Sequence, residues 1–381
     1  SKLKSIIKVK APEKLVKINF EDGGEVEVTL DHKFHIVDDS LKQIEAKDLK
    51  EGMMVPIPKK IISNGYRQKI NTYQLIKDFS YHKKICLIST PSIKEIISKE
   101  INSYPDRGHR ALLSQKYGVS DSYFYEILSR GNSISFSVLD KVCENQGTGF
   151  SDLGEVYINV YGGGTKNKSK TIHIPREIDE NLGYIAGALI SDGHLAQNAI
   201  DFSCWDDKGF KEAIKERLLL LFGKFESYYE DKRIYLCNSF APYFFNKIFG
   251  IPIGKKSNIV EIPEIIQKSD DKVISSFIRG LFDGDGTVNA GLSYKTYSRP
   301  LAEGLTYLLG RLGIFSYLRN DKKEWRLDYQ IEEDPTFKHG TEIYIWDLKG
   351  RDTKLYENKI DILIDKLQYQ YSEYIRSKQI S

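Results

Sequence analysis

The chain has 381 residues, a formal net charge of +3 and 40% hydrophobic residues. This hydrophobic fraction excludes an intrinsically disordered chain, and the length allows two or three domains with their own cores. Because 56 basic residues are nearly balanced by 53 acidic residues, nucleic-acid binding would depend on where the basic residues lie and not on bulk charge.

The four cysteines contain no CxxC pair, so the sequence indicates neither a zinc cluster nor a disulfide framework. No apolar run is typical of a signal peptide or reaches the length of a transmembrane helix. We therefore expect a soluble, cytoplasmic protein without a membrane partner.

The first segment, residues 1–62, is predicted to be all-β. Residues 15–37 alternate apolar and polar positions around an Asp-Gly-Gly turn, a pattern typical of a β-hairpin. Further short strands and turns are expected up to residue 62.

The second segment, residues 63–171, is predicted to be helical. Helical periods over residues 110–117 and 122–130 flank a Gly-Val-Ser break, with Ser120 as the expected cap, and a third helix follows over 137–145. This order is typical of a helix-turn-helix at 109–145, with 121–130 as the recognition helix and Tyr123 and Arg130 facing DNA. The same pattern also fits a plain packing module. A Gly- and Lys-rich joint at 162–170 closes the segment.

The remainder divides into two similar halves, residues 172–262 and 263–381. Each half predicts a helix, two strands, a helix, two strands and a closing helix, the last of which falls on residues 355–367. An αββαββα order that occurs twice indicates an α+β fold with an internal duplication.

Each half opens with a related motif, LGYIAGALISDG at residues 182–193 and FIRGLFDGDG at 277–286. Glycines four residues apart lie on one helix face, which applies to Gly183 with Gly187 and to Gly280 with Gly284. Glycine inside a helix is unfavourable by about 0.5–1 kcal/mol relative to alanine, so its repeated use favours two helices whose backbones touch.

Helices packed in this way would bring Asp192 and Asp285 together at their C-terminal ends. Two carboxylates near two partially negative helix ends repel each other unless a cation lies between them, and oxygen ligands suit Mg²⁺. We therefore predict a metal site at Asp192 and Asp285 with the glycines that follow them, Gly193 and Gly286, and hydrolysis of a phosphodiester. The alternative is that each Asp only ends a helix before a glycine turn.

At these residues the chain resembles the LAGLIDADG homing endonucleases, in particular the single-chain type found in inteins. Residues 185–193 and 278–286 align with the nine-letter signature, and Asp192 and Asp285 fall on its metal-binding position. Asp283 matches the earlier acidic position, where the first copy has Ile190. The resemblance extends over about residues 172–370.

The resemblance implies a saddle of antiparallel strands over the DNA major groove and metal-dependent double-strand cleavage that leaves short 3′ overhangs. It also implies a basic side chain that assists the chemistry. Ile172 and Val260 occupy the intein-type position for that lysine, so Lys256 and Lys295 are the main candidates, beside Lys170 and Lys255. The basic residues expected to contact DNA from the strand segments are Lys224, Lys232, Arg233, Arg299, Arg319, Lys322, Lys323 and Arg326.

Residues 29–34 (TLDHKF) and 47–52 (KDLKEG) resemble the Hint domain, the self-splicing domain of inteins. In that domain the Thr and His of the TxxHxF block assist the first acyl shift. Here we expect a truncated remnant that does not splice, with His32 in a structural or solvent-facing position.

The combined hypothesis is a site-specific, Mg²⁺-dependent endonuclease that cuts double-stranded DNA at a long asymmetric target. A monomer is expected because both motifs lie in one chain, and no small-molecule substrate is expected. The alternative from another functional class is a DNA-binding regulator or RNA maturase that keeps the fold without cleaving.

Overall fold

The computed structural model describes residues 12–58, 60–104, 108–161, 170–204, 207–228, 232–287, 293–321 and 324–330. Within them, contacts define two units: residues 12–63 with 286–330, and residues 64–285. The break after residue 63 lies next to the predicted boundary after residue 62, whereas the break after residue 285 falls inside the fourth predicted segment. None of the helices in the described part of the chain combines the length and apolar character needed to cross a membrane.

The N-terminal segment contains two β-hairpins. The first pairs β1 (Leu15–Asn19) with β2 (Glu25–Thr29), and the second pairs β3 (Lys33–Val37) with β4 (Leu41–Glu45). The Asp-Gly-Gly turn predicted from the sequence connects the first pair. His32 lies exposed between the hairpins.

The segment that follows contains more strand than predicted. Its helices are α1 (Thr72–Ser80), α2 (Pro91–Asn102), α3 (His109–Tyr117), α4 (Tyr123–Arg130) and α5 (Phe136–Gln146). Its strands are β5 (Ile85–Leu87), β6 (Ile134–Ser135), β7 (Tyr157–Val160) and β8 (Ile172–His173), in the order β6-β5-β7-β8. Strands of two to four residues are too short to show an alternating pattern. The predicted cap at Ser120 is wrong, since α4 begins after Ser122.

A buried carboxylate holds three of these helices together. Glu100 on α2 accepts hydrogen bonds from the Tyr117 hydroxyl of α3 at 2.5 Å and from the Asn145 and Gln146 amides of α5 at 3.1 Å. Burial raises the pKa of Glu100, but these bonds and the Lys116 ammonium outweigh it and lower the pKa. The charged carboxylate therefore stabilises the packing of α2 against α3 and α5.

The first motif half has the predicted element order. It comprises α6 (Glu180–Ile190), β9 (Gly193–Leu195), β10 (Ile200–Ser203), α7 (Lys208–Phe222), β11 (Glu226–Tyr228), β12 (Arg233–Leu236) and α8 (Phe240–Phe249), followed by a short α9 (Glu264–Gln267). The strands form one antiparallel sheet in the order β9-β10-β12-β11.

The second half repeats this order as far as the structure describes it. It comprises α10 (Asp271–Asp285), β13 (Gly286–Thr287), β14 (Ser293–Thr296), α11 (Arg299–Arg311), β15 (Phe315–Asp321) and β16 (Glu324–Gln330). Its sheet has the order β13-β14-β16-β15, the same topology as the first sheet. The predicted closing helix at 355–367 lies outside the described residues.

The N-terminal hairpin docks on the second sheet. The Leu318 amide of the edge strand β15 donates to the Asp22 carbonyl at 2.7 Å, and the Ile61 amide donates to the Gly310 carbonyl at 2.9 Å. Gly23 has φ +83°, and a Cβ there would lie 1.6 Å from the Leu318 carbonyl oxygen. Only glycine fits this turn, so residues 12–63 and the second sheet form one unit.

Candidate active site

The two motif helices, α6 and α10, touch along their backbones. A Cβ built on Gly187 would lie 2.1 Å from the Phe277 carbonyl oxygen, and one on Gly280 would lie 2.1 Å from the Tyr184 carbonyl oxygen. The equivalent residues of the two motifs are 93 positions apart, so Tyr184 corresponds to Phe277 and Gly187 to Gly280. Each of the two contacts is therefore the equivalent of the other. Reciprocal contacts of this kind define a local pseudo-two-fold axis.

The C-terminal ends of the two helices are also adjacent. A Cβ on Gly284 would lie 2.1 Å from the Ser191 hydroxyl oxygen and 3.2 Å from the Asp192 amide nitrogen. Asp192 follows Ser191, the C-cap of α6, and Asp285 is the last residue of α10. Asp192 is half-buried and Asp285 is exposed. The packing therefore brings the two motif aspartates to one end of the helix pair, as the glycine spacing predicts.

Lys256 lies at this end of the helix pair. Its ammonium donates three hydrogen bonds, to the backbone carbonyls of Leu189, Ile190 and Ser191 at 2.6, 2.7 and 2.8 Å. These carbonyls belong to the last turn of α6, where they lack intrahelical partners. Since an ammonium has three N–H donors, Lys256 uses all of them to cap the helix.

The same ammonium interacts with both aspartates. Burial lowers the pKa of Lys256 to about 8, although Asp285 and Asp192, and more weakly Asp201, act to raise it. Lys256 therefore supplies part of the positive charge that two carboxylates at helix ends require. In this geometry its ammonium is held at the end of α6 and acts electrostatically on the two aspartates.

The donor set at this end fits a divalent cation. Carboxylate oxygens from two aspartates, with further positions open to water or phosphate, are the oxygen ligands that Mg²⁺ and similar ions prefer. No group of three or more His, Cys, Asp or Glu side chains suited to a metal occurs among the described residues, so this two-carboxylate arrangement needs ligands from its substrate or solvent. Gly193 has a steric role, since a Cβ there would lie 2.5 Å from the Leu189 Cα atom.

Most of the basic residues predicted on the first sheet are paired with carboxylates. Arg233 donates to Asp201 at 2.8 Å, and Lys224 lies 3.5 Å from Glu226. Lys232 is half-buried in the turn before β12. The carboxylates of Glu226 and Asp201 therefore offset the charges of Lys224 and Arg233.

The second sheet has a different charge pattern. Backbone register aligns Lys295 of β14 with Arg326 of β16, and Arg326 with Arg319 of β15. Three basic residues therefore occupy adjacent cross-strand positions. Arg299 is paired with Glu25 and, at 2.6 Å, with Glu303. Lys322 and Lys323 lie outside the described residues.

The remaining lysine candidates are dispersed. Lys170 forms an ion pair with Glu226 at 2.6 Å, whereas Lys255 and Lys295 are exposed. The structure therefore places Lys256, and not Lys170, beside the two aspartates of the helix pair.

The predicted recognition helix presents only part of the expected surface. The Tyr123 hydroxyl accepts a hydrogen bond from the Ser135 amide at 2.8 Å, so this side chain turns inward, unlike its predicted orientation towards DNA. Arg130 is exposed at the end of α4. The Arg110 guanidinium stacks over the Tyr125 ring at 4.3 Å.

Comparison with known proteins bears on the second motif. Residues 272–345 match the LAGLIDADG-like domain. This region begins inside α10 and includes Asp285 and the second sheet, so the resemblance inferred from the motif is confirmed there.

Two curated relatives align with most of the chain. It is 26% identical over 336 residues to elongation factor 2 of Methanopyrus kandleri, covering 84% of this chain and 25% of the relative. It is 24% identical over 362 residues to a DNA polymerase of Thermococcus litoralis, covering 83% of this chain and 21% of the relative. The chain thus spans a quarter or less of the length of these relatives.

Among solved structures, the chain is similar to variants of the homing endonuclease I-DmoI. The TM-score is 0.33 at 16% identity, and the alignment covers 40% of this chain and 89% of that chain. I-DmoI in complex with DNA and Mn gives a TM-score of 0.30 at 16% identity, with the same coverage of both chains.

The sequence reasoning missed a buried polar cluster beside the helix pair. The Tyr184 hydroxyl of α6 donates to Asp283 of α10 at 2.5 Å, and the Arg217 guanidinium of α7 stacks over the Tyr184 ring at 4.1 Å. Burial, and next the Asp283 carboxylate, raise the pKa of Tyr184 well above its usual value, so the hydroxyl stays a donor. The signal in the sequence was Asp283 itself, an acidic residue where the first motif has Ile190.

Proposed function

We propose that the chain is a site-specific endonuclease that cuts double-stranded DNA with a divalent cation, Mg²⁺ being the expected ion. One observation carries this proposal: two backbone-packed, pseudo-symmetric helices end in Asp192 and Asp285 beside a shared ammonium. The match of residues 272–345 to a LAGLIDADG-like domain supports it.

The chemistry follows from the donor set. A cation held by the two aspartates would activate water and stabilise the leaving oxygen of a phosphodiester. Lys256 would keep α6 capped and offset the charge of the aspartates. Since each half contributes one aspartate, each half would serve one strand of a duplex, which favours a monomer.

Each of the two sheets is proposed to contact DNA. The cross-strand positions of Lys295, Arg326 and Arg319 support phosphate contacts from the second half, and Arg130 of α4 is a further candidate. The first half would contribute Lys232, and also Lys224 and Arg233 once DNA competes with the carboxylate partners of these two residues.

The relatives support the further proposal that this segment is an intein-type insert with a Hint-like N-terminal part. An elongation factor and a DNA polymerase have different functions, yet their alignments cover 84% and 83% of this chain and so share at least two thirds of it. A segment common to otherwise different proteins is typical of a mobile coding element. Its target would be an allele that lacks the insert.

The test is cleavage of a plasmid that carries the uninterrupted host-gene sequence, with Mg²⁺ or Mn²⁺. We expect a linear product from the wild-type chain, and at least a ~1,000-fold slower reaction for Asp192→Asn and for Asp285→Asn, the effect of losing about 4 kcal/mol of transition-state stabilisation. Asp39→Asn, an exposed aspartate in the β3–β4 turn, is the matched control and should cut normally.

The outcomes separate the two functional classes. Wild-type rates in either motif variant would rule out the metal-ligand role of that aspartate. Specific duplex binding without cleavage in any divalent ion would instead favour a non-cleaving regulator or maturase that keeps the fold.

A further inference from the structure

We call the contact of the α6 and α10 glycines with the backbone of the opposite helix the glycine seam. This seam brings the helices together without fixing their register. Gly183 and Gly187 face the carbonyl oxygens of Val273 and Phe277, which are also four residues apart. A slide of one helical turn, about 5.4 Å, would place Gly183 opposite Phe277 and keep glycine against backbone. The seam therefore needs a second feature to choose one register.

The buried Tyr184–Asp283 hydrogen bond is such a feature. Both side chains are buried, at 0% and 2% relative exposure, and the bond crosses the helix interface. At the pseudo-symmetric positions the chain has Phe277 and Ile190, so the chain has no second copy of this pair. A single buried polar contact that selects one register is known from coiled coils, where an unpaired alternative is heavily penalised.

Two arginine side chains lie next to the Tyr184–Asp283 pair. Arg279 lies 3.8 Å from the Asp283 carboxylate, and Arg217 of α7 covers the Tyr184 ring and donates to the Ala213 carbonyl at 3.1 Å. The cluster thus connects α6, α7 and α10. Asp283 precedes Asp285 by two residues, so a shift of α10 along α6 would move the motif aspartate with it.

We propose that Tyr184 and Asp283 are positioning residues that fix the register of α6 against α10, and with it the separation of Asp192 from Asp285. This inference rests on the proposed function for its consequence, but the register itself can be measured without metal or DNA.

The test uses the double variant Tyr184→Phe/Asp283→Ile, which gives both halves the same apolar pair. Replacing a buried polar pair by apolar residues of similar shape is often neutral for stability, so we expect the variant to fold. The control is Tyr294→Phe, a buried tyrosine of the second sheet.

The first readout is the distance between spin labels at Glu177→Cys and Lys272→Cys, in a Cys237→Ser background, by double electron–electron resonance. Both positions are exposed, and Cys237 is the exposed one of the four cysteines. We expect one narrow distance in the wild-type background and in the control. The double variant should show a broadened distribution or a second population displaced by about 5 Å, one helical turn.

The second readout is binding of Mn²⁺ to the protein, followed by loss of the free-ion electron paramagnetic resonance signal. We expect about tenfold weaker binding in the double variant, typical of a lost outer contact of a metal ligand. An unchanged distance and unchanged Mn²⁺ affinity in a folded double variant would overturn the inference. If Asp192→Asn and Asp285→Asn bind Mn²⁺ as tightly as the wild type, the proposed function is contradicted. The distance measurement would still test the register, because it needs neither metal nor DNA.

Discussion

The two sheets share a topology but differ in charge. In the first sheet, register aligns Ser203 with Arg233 and Arg233 with Tyr228, which gives one cation in the row. The topologically equivalent row of the second sheet is Lys295, Arg326 and Arg319, which gives three. The first sheet also contains Asp201 and Glu226, which pair with its cations.

Under the proposed function, this difference predicts that the two halves contribute unequally to DNA binding. The helix seam is constrained by backbone contact on both sides, so it stays nearly symmetric. The faces of the two sheets have no such constraint, so their charged residues can differ. Phosphate affinity would then come mainly from the second half, and an asymmetric target is the expected consequence.

The greatest loss of stability is expected at the symmetric contact between α6 and α10. Alanine at Gly187 or at Gly280 would place Cβ 2.1 Å from a backbone oxygen, which neither helix can relieve without moving. We expect each variant to lose at least about 3 kcal/mol of unfolding free energy in denaturant titrations, and the two losses to be alike.

Gly209→Ala in α7 is the matched control, because its Cβ would meet only the Asp207 carboxylate oxygen at 3.6 Å. This change should be neutral or stabilise by up to about 1 kcal/mol. If Gly187→Ala keeps its unfolding free energy and Gly280→Ala does not, the pseudo-two-fold interpretation is contradicted.

The next effect concerns the capping lysine. The folded-state pKa of Lys256 is lowered from 10.5 to about 8, so the unfolded chain binds this proton more tightly between these values. The penalty of burying the charge is fully present below pH 8 and is relieved as the pH rises towards 10.5. Unfolding free energy should therefore rise between pH 8 and 9.5 by about 2 kcal/mol relative to Lys256→Met.

Paired denaturant titrations of the wild type and of Lys256→Met at pH 7, 8.5 and 9.5 measure this difference. The same series on Lys255→Met, an exposed neighbour, controls for general alkaline effects. A constant difference between wild type and Lys256→Met across this range would contradict the buried position of the ammonium.

The smallest expected effect concerns the difference in charge between the two sheets. Lys295→Gln should weaken duplex binding about threefold to tenfold and lower the slope of log Kd against log salt by about 0.9, the loss of one phosphate contact. Lys42→Gln, on β4 and paired with Asp38, is the control. Binding isotherms at several salt concentrations provide the measurement, and an unchanged slope would remove Lys295 from the DNA surface.

Elements whose signals are local and repeated could be predicted from the amino-acid sequence alone. Glycines four residues apart, each motif ending in Asp-Gly, were sufficient to predict the touching helices and the position of Asp192 and Asp285 at the same end of the helix pair. The element order of the first half, and that of the second half up to residue 330, followed from hydrophobic period and turn residues. Strands such as β6 and β8 have only two residues, so no period exists to be detected.

Contacts between groups far apart in the sequence became visible only in the folded chain. Lys256 caps a helix end 65 residues earlier, the Tyr184–Asp283 bond joins residues 99 apart, and Arg299 pairs with a glutamate 274 residues away. Partners at such separations leave no periodic trace, because either residue alone is compatible with many surroundings. Which lysine lies at the end of the helix pair that carries the aspartates, and which cations are paired with carboxylates, depend on how the chain packs.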